Sequence, residues 1–150
     1  MGGSIQVDFY HLTVRPIERV LPRIAERVVE GGGRLLIVAG DPARREMLDK
    51  LLWNYSADSF LPHAQVGLGD DAAQPVLIGE GTAALNGARN IAIADAVWRD
   101  EVLASDRAFH FFDDDRIAEA RAAWKSLAKR GGVERRYWKQ GERGGWTQAA

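Results

Sequence analysis

Two periods organise the apolar and polar positions of this chain. Residues 5–10, Ile-Gln-Val-Asp-Phe-Tyr, follow the two-residue repeat of a strand. A three-to-four-residue repeat follows near 17–30. There Ile17, Val20, Leu21, Ile24 and Val28 share one helical face. Pro16 suits the first turn of that helix, whereas Pro22 predicts a kink or a later start. Gly31-Gly32-Gly33 ends it. Leu35–Ala39 is apolar without interruption, the mark of a strand covered on both faces. Asp41 then predicts an N-cap and Pro42 a first helical position, with the helix running to about Asn54.

The second half continues the alternation. Pro75–Ile78 and Asn90–Asp95 read as strands, 96–104 as a short helix and Ala108–Phe112 as a strand. Residues 65–74 read as a surface loop. The spacing predicts a last helix over 114–130, with Ile117, Ala120, Trp124, Leu127 and Ala128 as its buried stripe and Gly131-Gly132 as its stop. Arg135–Gln140 reads as an edge strand or as half of a hairpin with Gly144-Gly145-Trp146. The order β-α-β-α-β-β-β-α predicts an α/β fold, a single Rossmann-like three-layer α/β/α sandwich with a mainly parallel sheet. Met1–Ser4 reads as a flexible leader, and 5–150 as one domain.

Composition narrows the classes. No apolar run approaches the roughly 18–20 residues that span a bilayer, so no membrane role is expected. Cysteine is absent. That excludes disulfides, thiolate chemistry and Cys-based zinc sites, and it fits a reducing, cytoplasmic setting. Charge is unevenly placed. From Arg116 to Ala150 there are nine Lys/Arg against three Asp/Glu, and before Arg116 eleven against eighteen. A basic end on an acidic chain points to an anionic partner. Arg121, Lys125 and Lys129 fall at i, i+4 and i+8 on one helix face beside Trp124, with Arg130, Arg135 and Arg136 beyond. Two readings stay open: a merely solvated basic face with Trp124 in the core, or a docking face. The docked anion is a short acidic peptide, its carboxylate forked on Arg121, or a nucleic acid stacked on Trp138 and Trp146.

Motifs for chemistry are few. Gly79-Glu80-Gly81-Thr82-Ala83-Ala84 has the Gly-x-Gly-x-x-Ala form. It sits at the wrong strand for a dinucleotide site, and the Asn86-Gly87 turn leaves no room for the helix that must follow. It reads as an ordinary loop. There is no phosphate-cradling P-loop. Asp113-Asp114-Asp115 offers carboxylates for Mg²⁺, and with them a phosphoryl-transfer or hydrolase reading. Helix capping fits its neighbours better. The three histidines, His11, His63 and His110, stand at no metal-ligand spacing. His110 reads as structural, and His63, after Pro62 in a loop, as a surface residue. Trp53 at a frayed helix end and Phe60 beyond it either close the core or form an exposed apolar patch suited to a protein partner.

These pieces together resemble the chi subunit of bacterial DNA polymerase III holoenzyme. The likeness is carried by Val7-Asp8-Phe9-Tyr10, Gly33-Arg34-Leu35-Leu36-Ile37, Leu48-Asp49 with Leu52-Trp53, and most specifically Ser59-Phe60-Leu61-Pro62-His63. Pro75-Val76-Leu77-Ile78, Ala120-Arg121 with Trp124-Lys125, and Tyr137-Trp138 extend it. The resemblance implies a Rossmann-like fold without nucleotide chemistry, cofactor or metal, and a non-catalytic adaptor contacting DNA only indirectly. It implies two partners: the acidic, Pro-Phe-ending C-terminal tail of single-stranded-DNA-binding protein, and the psi subunit or an equivalent clamp-loader component. By position, Arg121 pairs with the tail's carboxylates, Lys125 assists, and Trp124 lines the pocket for the terminal Phe. Ile117 stands where some members have Lys, which leaves that wall apolar and makes Arg116 the replacement cation. Trp53, Phe60, Pro62 and His63 match the psi surface. Whether a helicase partner shares that surface stays open.

Overall fold

The computed structural model describes residues 4–56 and 61–150. Phe60, expected at the psi surface, therefore lies outside the described residues. Eight strands form one sheet in the order β3-β4-β2-β5-β6-β1-β7-β8. They are β1 (Ile5–His11), β2 (Leu35–Val38), β3 (His63–Gln65), β4 (Val76–Gly79), β5 (Asn90–Ile93), β6 (Arg107–Phe112), β7 (Val133–Gln140) and β8 (Trp146–Gln148). All neighbours are parallel except β7 and β8, which form an antiparallel hairpin.

Burial follows the alternation read from the sequence. In β2, Leu35 and Ile37 face the layer of helices α1 (Leu21–Glu30) and α2 (Pro42–Asn54), where Leu21, Ala25, Leu48 and Leu52 pack. Leu36 and Val38 face the opposite layer with α3 (Ile117–Ala128), whose Ala120, Ala123 and Leu127 are buried. Helices on both faces explain why the middle strands are continuously apolar. The expected three-layer α/β sandwich is the observed one.

Several boundaries differ for local reasons. Of the two expectations at Pro22, the later start is the observed one: Pro22 takes an early position of α1, where its missing N–H costs nothing, and a 3₁₀ turn at Ile17–Arg19 precedes the α-helix. Asp41 caps α2 by accepting the Ala43 N–H at 3.0 Å. Residues 63–65, read as loop, form edge strand β3, too short for its period to show. The 96–104 segment holds a 3₁₀ helix at Asp100–Ala104. In the last helix Ala123, not Ala128, is buried, and Trp124 and Ile117 are only partly covered.

Candidate protein-docking sites

The entry to α3 is built by the aspartate triplet. The Asp113 carboxylate accepts the Asp115 N–H at 3.0 Å and opens a 3₁₀ turn that passes into α3 at Ile117. Asp114 lies 2.6 Å from Nε2 of His11, at the end of β1. The His11 ring stacks on Phe112 at 5.1 Å, and the Tyr137 hydroxyl lies 3.4 Å from its Nδ1. The triplet thus anchors the helix to the sheet. Among the described residues no group of three His, Cys, Asp or Glu is arranged to hold a metal ion.

Along α3 the expected cations separate into two kinds. Arg116 is paired with Glu119 at 2.9 Å on the exposed helix surface. Arg121 and Lys125 are exposed, and neither has an ion pair among the described residues. They stand one turn apart. Trp124 points inward between them. Its ring meets Phe9 at 5.3 Å and Tyr137 at 5.7 Å, both edge-on. The cation over its face is Arg135, 4.0 Å from the ring centroid, which also donates to the Trp124 carbonyl at 2.7 Å. The sequence placed Arg121 and Lys125 beside Trp124. Arg135 comes from β7 and occupies that position, a tertiary contact that helical spacing cannot reveal. Burial pushes the Tyr137 phenol up, and the charge of Arg121 opposes that shift. The outer face of α3 therefore presents two exposed cations without an ion pair among the described residues, flanking the half-buried Trp124 along the helix, with Ile117 one turn before Arg121.

A second patch lies at the far edge of the sheet. Trp53, in the last turn of α2, is 50% exposed. His63 is buried rather than at the surface, 6% exposed. Its Nδ1 lies 2.8 Å from the Leu61 carbonyl, and its Nε2 lies 3.0 Å from the Asp49 carbonyl and 3.2 Å from the Asp49 carboxylate. The ring supports Trp53 at 4.5 Å between centroids. His63 thus positions the tryptophan by tying β3 to α2, and Pro62 is half-buried beside it.

The Gly-x-Gly-x-x-Ala segment carries no site. Gly79 closes β4, and 80–88 is irregular with no helix. A Cβ on Gly79 would meet Cγ2 of Val66 at 2.9 Å, so this glycine admits a neighbouring side chain, not a phosphate. His110 is buried with both ring nitrogens unpartnered, among Phe9, Trp98 and Phe112. This agrees with its structural reading.

The family model described as DNA polymerase III chi subunit, HolC, matches residues 5–134, most of the chain. The chain belongs to the chi subunit family. It is 34% identical over 79 residues to the DNA polymerase III subunit chi of Pseudomonas aeruginosa, covering 51% of this chain and 54% of that one. It is 30% identical over 73 residues to the probable DNA polymerase III subunit chi of Rickettsia prowazekii, covering 49% and 44%. The chain thus matches about half the length of these curated relatives. Membership of the chi family connects it to DNA replication and to polymerase III. No helix among the described residues is long and apolar enough to cross a membrane.

Proposed function

We propose that this chi-family chain is a non-catalytic adaptor of the cytoplasmic replisome. It captures an acidic, Phe-terminated protein tail on the outer face of α3. The observation that carries this reading is the pair Arg121 and Lys125, exposed, unpaired and one turn apart beside Trp124 and Tyr137. In this reading the tail's terminal carboxylate forks onto Arg121, Lys125 meets an acidic side chain, and the terminal ring packs against the apolar wall of Ile117, Trp124 and Tyr137. Arg135, lying over Trp124, holds that wall in place. Arg116, paired with Glu119 on the exposed surface, joins as a further cation by exchanging that partner. The partner proposed is the C-terminal tail of single-stranded-DNA-binding protein.

The Trp53 patch serves the second partner, the psi subunit or its equivalent in the clamp loader, with Pro62 beside it. β3 is one edge of the sheet and β7 is next to the other, six intervals away. At about 4.8 Å per interval the two sites are separated by about 30 Å of sheet. One protein can then be held at each edge at the same time, which is what an adaptor requires.

The test is anisotropy of a labelled acidic peptide ending in Pro-Phe. Arg121→Ala is expected to weaken binding about 10- to 100-fold, the worth of a charge-assisted pair, and Trp53→Ala to leave it unchanged. Trp53→Ala should instead reduce association with purified psi subunit. Equal loss of peptide from both variants would overturn the division of labour.

A further inference from the structure

The face of the sheet opposite α3 carries a second line of positive charge. Arg15, Arg19, Arg23 and Arg27 recur at every fourth residue, Arg15 before the 3₁₀ turn, Arg19 at its end, and Arg23 and Arg27 in α1. All four are exposed and line one cavity of about 280 Å³, with Trp146 of the β7–β8 hairpin also in its lining. A second cavity, of about 320 Å³, continues from Arg27 to Tyr10 and Arg107. None of the four arginines has an ion pair among the described residues. Arg15, Arg19 and Arg23 also line an adjoining cleft with Glu18 of the 3₁₀ turn, Glu26 of α1 and Tyr55, where Glu26 accepts the Tyr55 hydroxyl.

The trough also has an organised aromatic floor. Tyr10 lies nearly parallel to Trp138, 6.5 Å away at 13°, and meets Trp146 edge-on at 5.1 Å. All three rings are partly exposed. Beneath them Asp8, fully buried, accepts the Trp138 indole N–H at 3.0 Å and pairs with Arg107 at 2.9 Å. One carboxylate thus fixes an aromatic ring and a cation of the same groove.

We propose that this trough binds single-stranded nucleic acid directly. Guanidinium groups strung from Arg15 to Arg27, of which Arg23 and Arg27 stand one turn of α1 or about 6 Å apart along the axis, follow successive phosphates, and unpaired bases stack on Tyr10, Trp138 and Trp146. A base-paired duplex withholds the base faces that the rings require. An acidic peptide satisfies the arginines but leaves the rings without a stacking partner. The inference goes beyond the tail-binding reading and is independent of it, because it uses the opposite face of the sheet and none of the same residues.

The experiment is anisotropy of a labelled oligothymidylate of about 16 nucleotides with the full chain. Four phosphate contacts predict a slope of log K against log salt of about −3, so binding falls about 50-fold between roughly 50 and 200 mM salt. Arg19→Ala with Arg23→Ala, both on the exposed surface, should halve that slope while leaving the thermal unfolding midpoint in place. Lys50→Ala with Lys129→Ala, removing the same charge elsewhere, should leave the slope intact. Trp146→Ala should weaken binding roughly tenfold and Trp146→Phe much less, since stacking needs a ring. Absence of binding at low salt, equal loss from the two charge pairs, or equally tight binding of base-free polyphosphate would each overturn the proposal.

Discussion

Arg135 shows how one side chain sets the character of the α3 face. It lies over Trp124 and bonds its carbonyl, so it fixes both the ring and the last turns of the helix. Arg135→Ala is expected to cost about 1–2 kcal/mol of stability from the lost stacking and hydrogen bond. Urea unfolding checks this, and a change within experimental error would deny Arg135 that role. His110 acts through charge instead. Burial pushes its pKa from 6.5 down to about 4, with nearby Asp95 opposing and Arg99 reinforcing the shift. The unfolded chain therefore binds a proton that the folded chain refuses, and stability held above about pH 6.5 is lost as pH falls toward 4. The size is on the order of 3 kcal/mol. His110→Leu should flatten the unfolding free energy between these pH values; an unchanged slope would show that other groups set it. Legibility at this scale was uneven. Arg121 and Lys125 are exposed where helical spacing put them. The Trp124–Arg135 contact and the burial of His63 depend on which strand lies beside which helix, and no local pattern encodes that.

At the scale of elements, most boundaries were written in short-range chemistry. Asp41 with Pro42 begins α2, the Gly31–Gly33 run ends α1, and continuous apolar runs mark the covered strands. Edge strand β3 escaped because three residues show no period and the strand borrows its identity from β4. Its seat depends on Gly79, whose missing Cβ leaves room for Val66. Gly79→Ala is expected to destabilise the chain by about 1–3 kcal/mol through overpacking. Val66→Ala in the same chain should recover part of that loss. The two substitutions then fail to add, as neighbours sharing one space do. Strict additivity in thermal or denaturant unfolding would remove the contact from the explanation. The arginines from Arg15 to Arg27 stand at every fourth residue, but that spacing alone carries no site, and only Arg23 and Arg27 fall in α1. Only the fold shows that they face an aromatic hairpin, since Trp146 and Trp138 are more than a hundred residues away in the chain.

At the scale of the whole molecule, the long sheet is a spacer. Its fold was legible because alternation, caps and apolar runs agree with one another. The placing of function was less so, because charge asymmetry pointed to one basic end, whereas the sheet distributes cations over two faces and sets Trp53 at a third position. The adaptor reading rests on the independence of these surfaces, and above all on recognition of a terminal Phe by the α3 face. The most direct measurement is isothermal titration of the chain with an acidic nonapeptide ending in Pro-Phe, beside the same peptide without the Phe. Burying that ring is worth about 1.5–3 kcal/mol. Binding is expected to weaken at least tenfold without the Phe and again in Arg121→Ala. Equal affinity for both peptides would reduce the α3 face to generic anion attraction and contradict the claim.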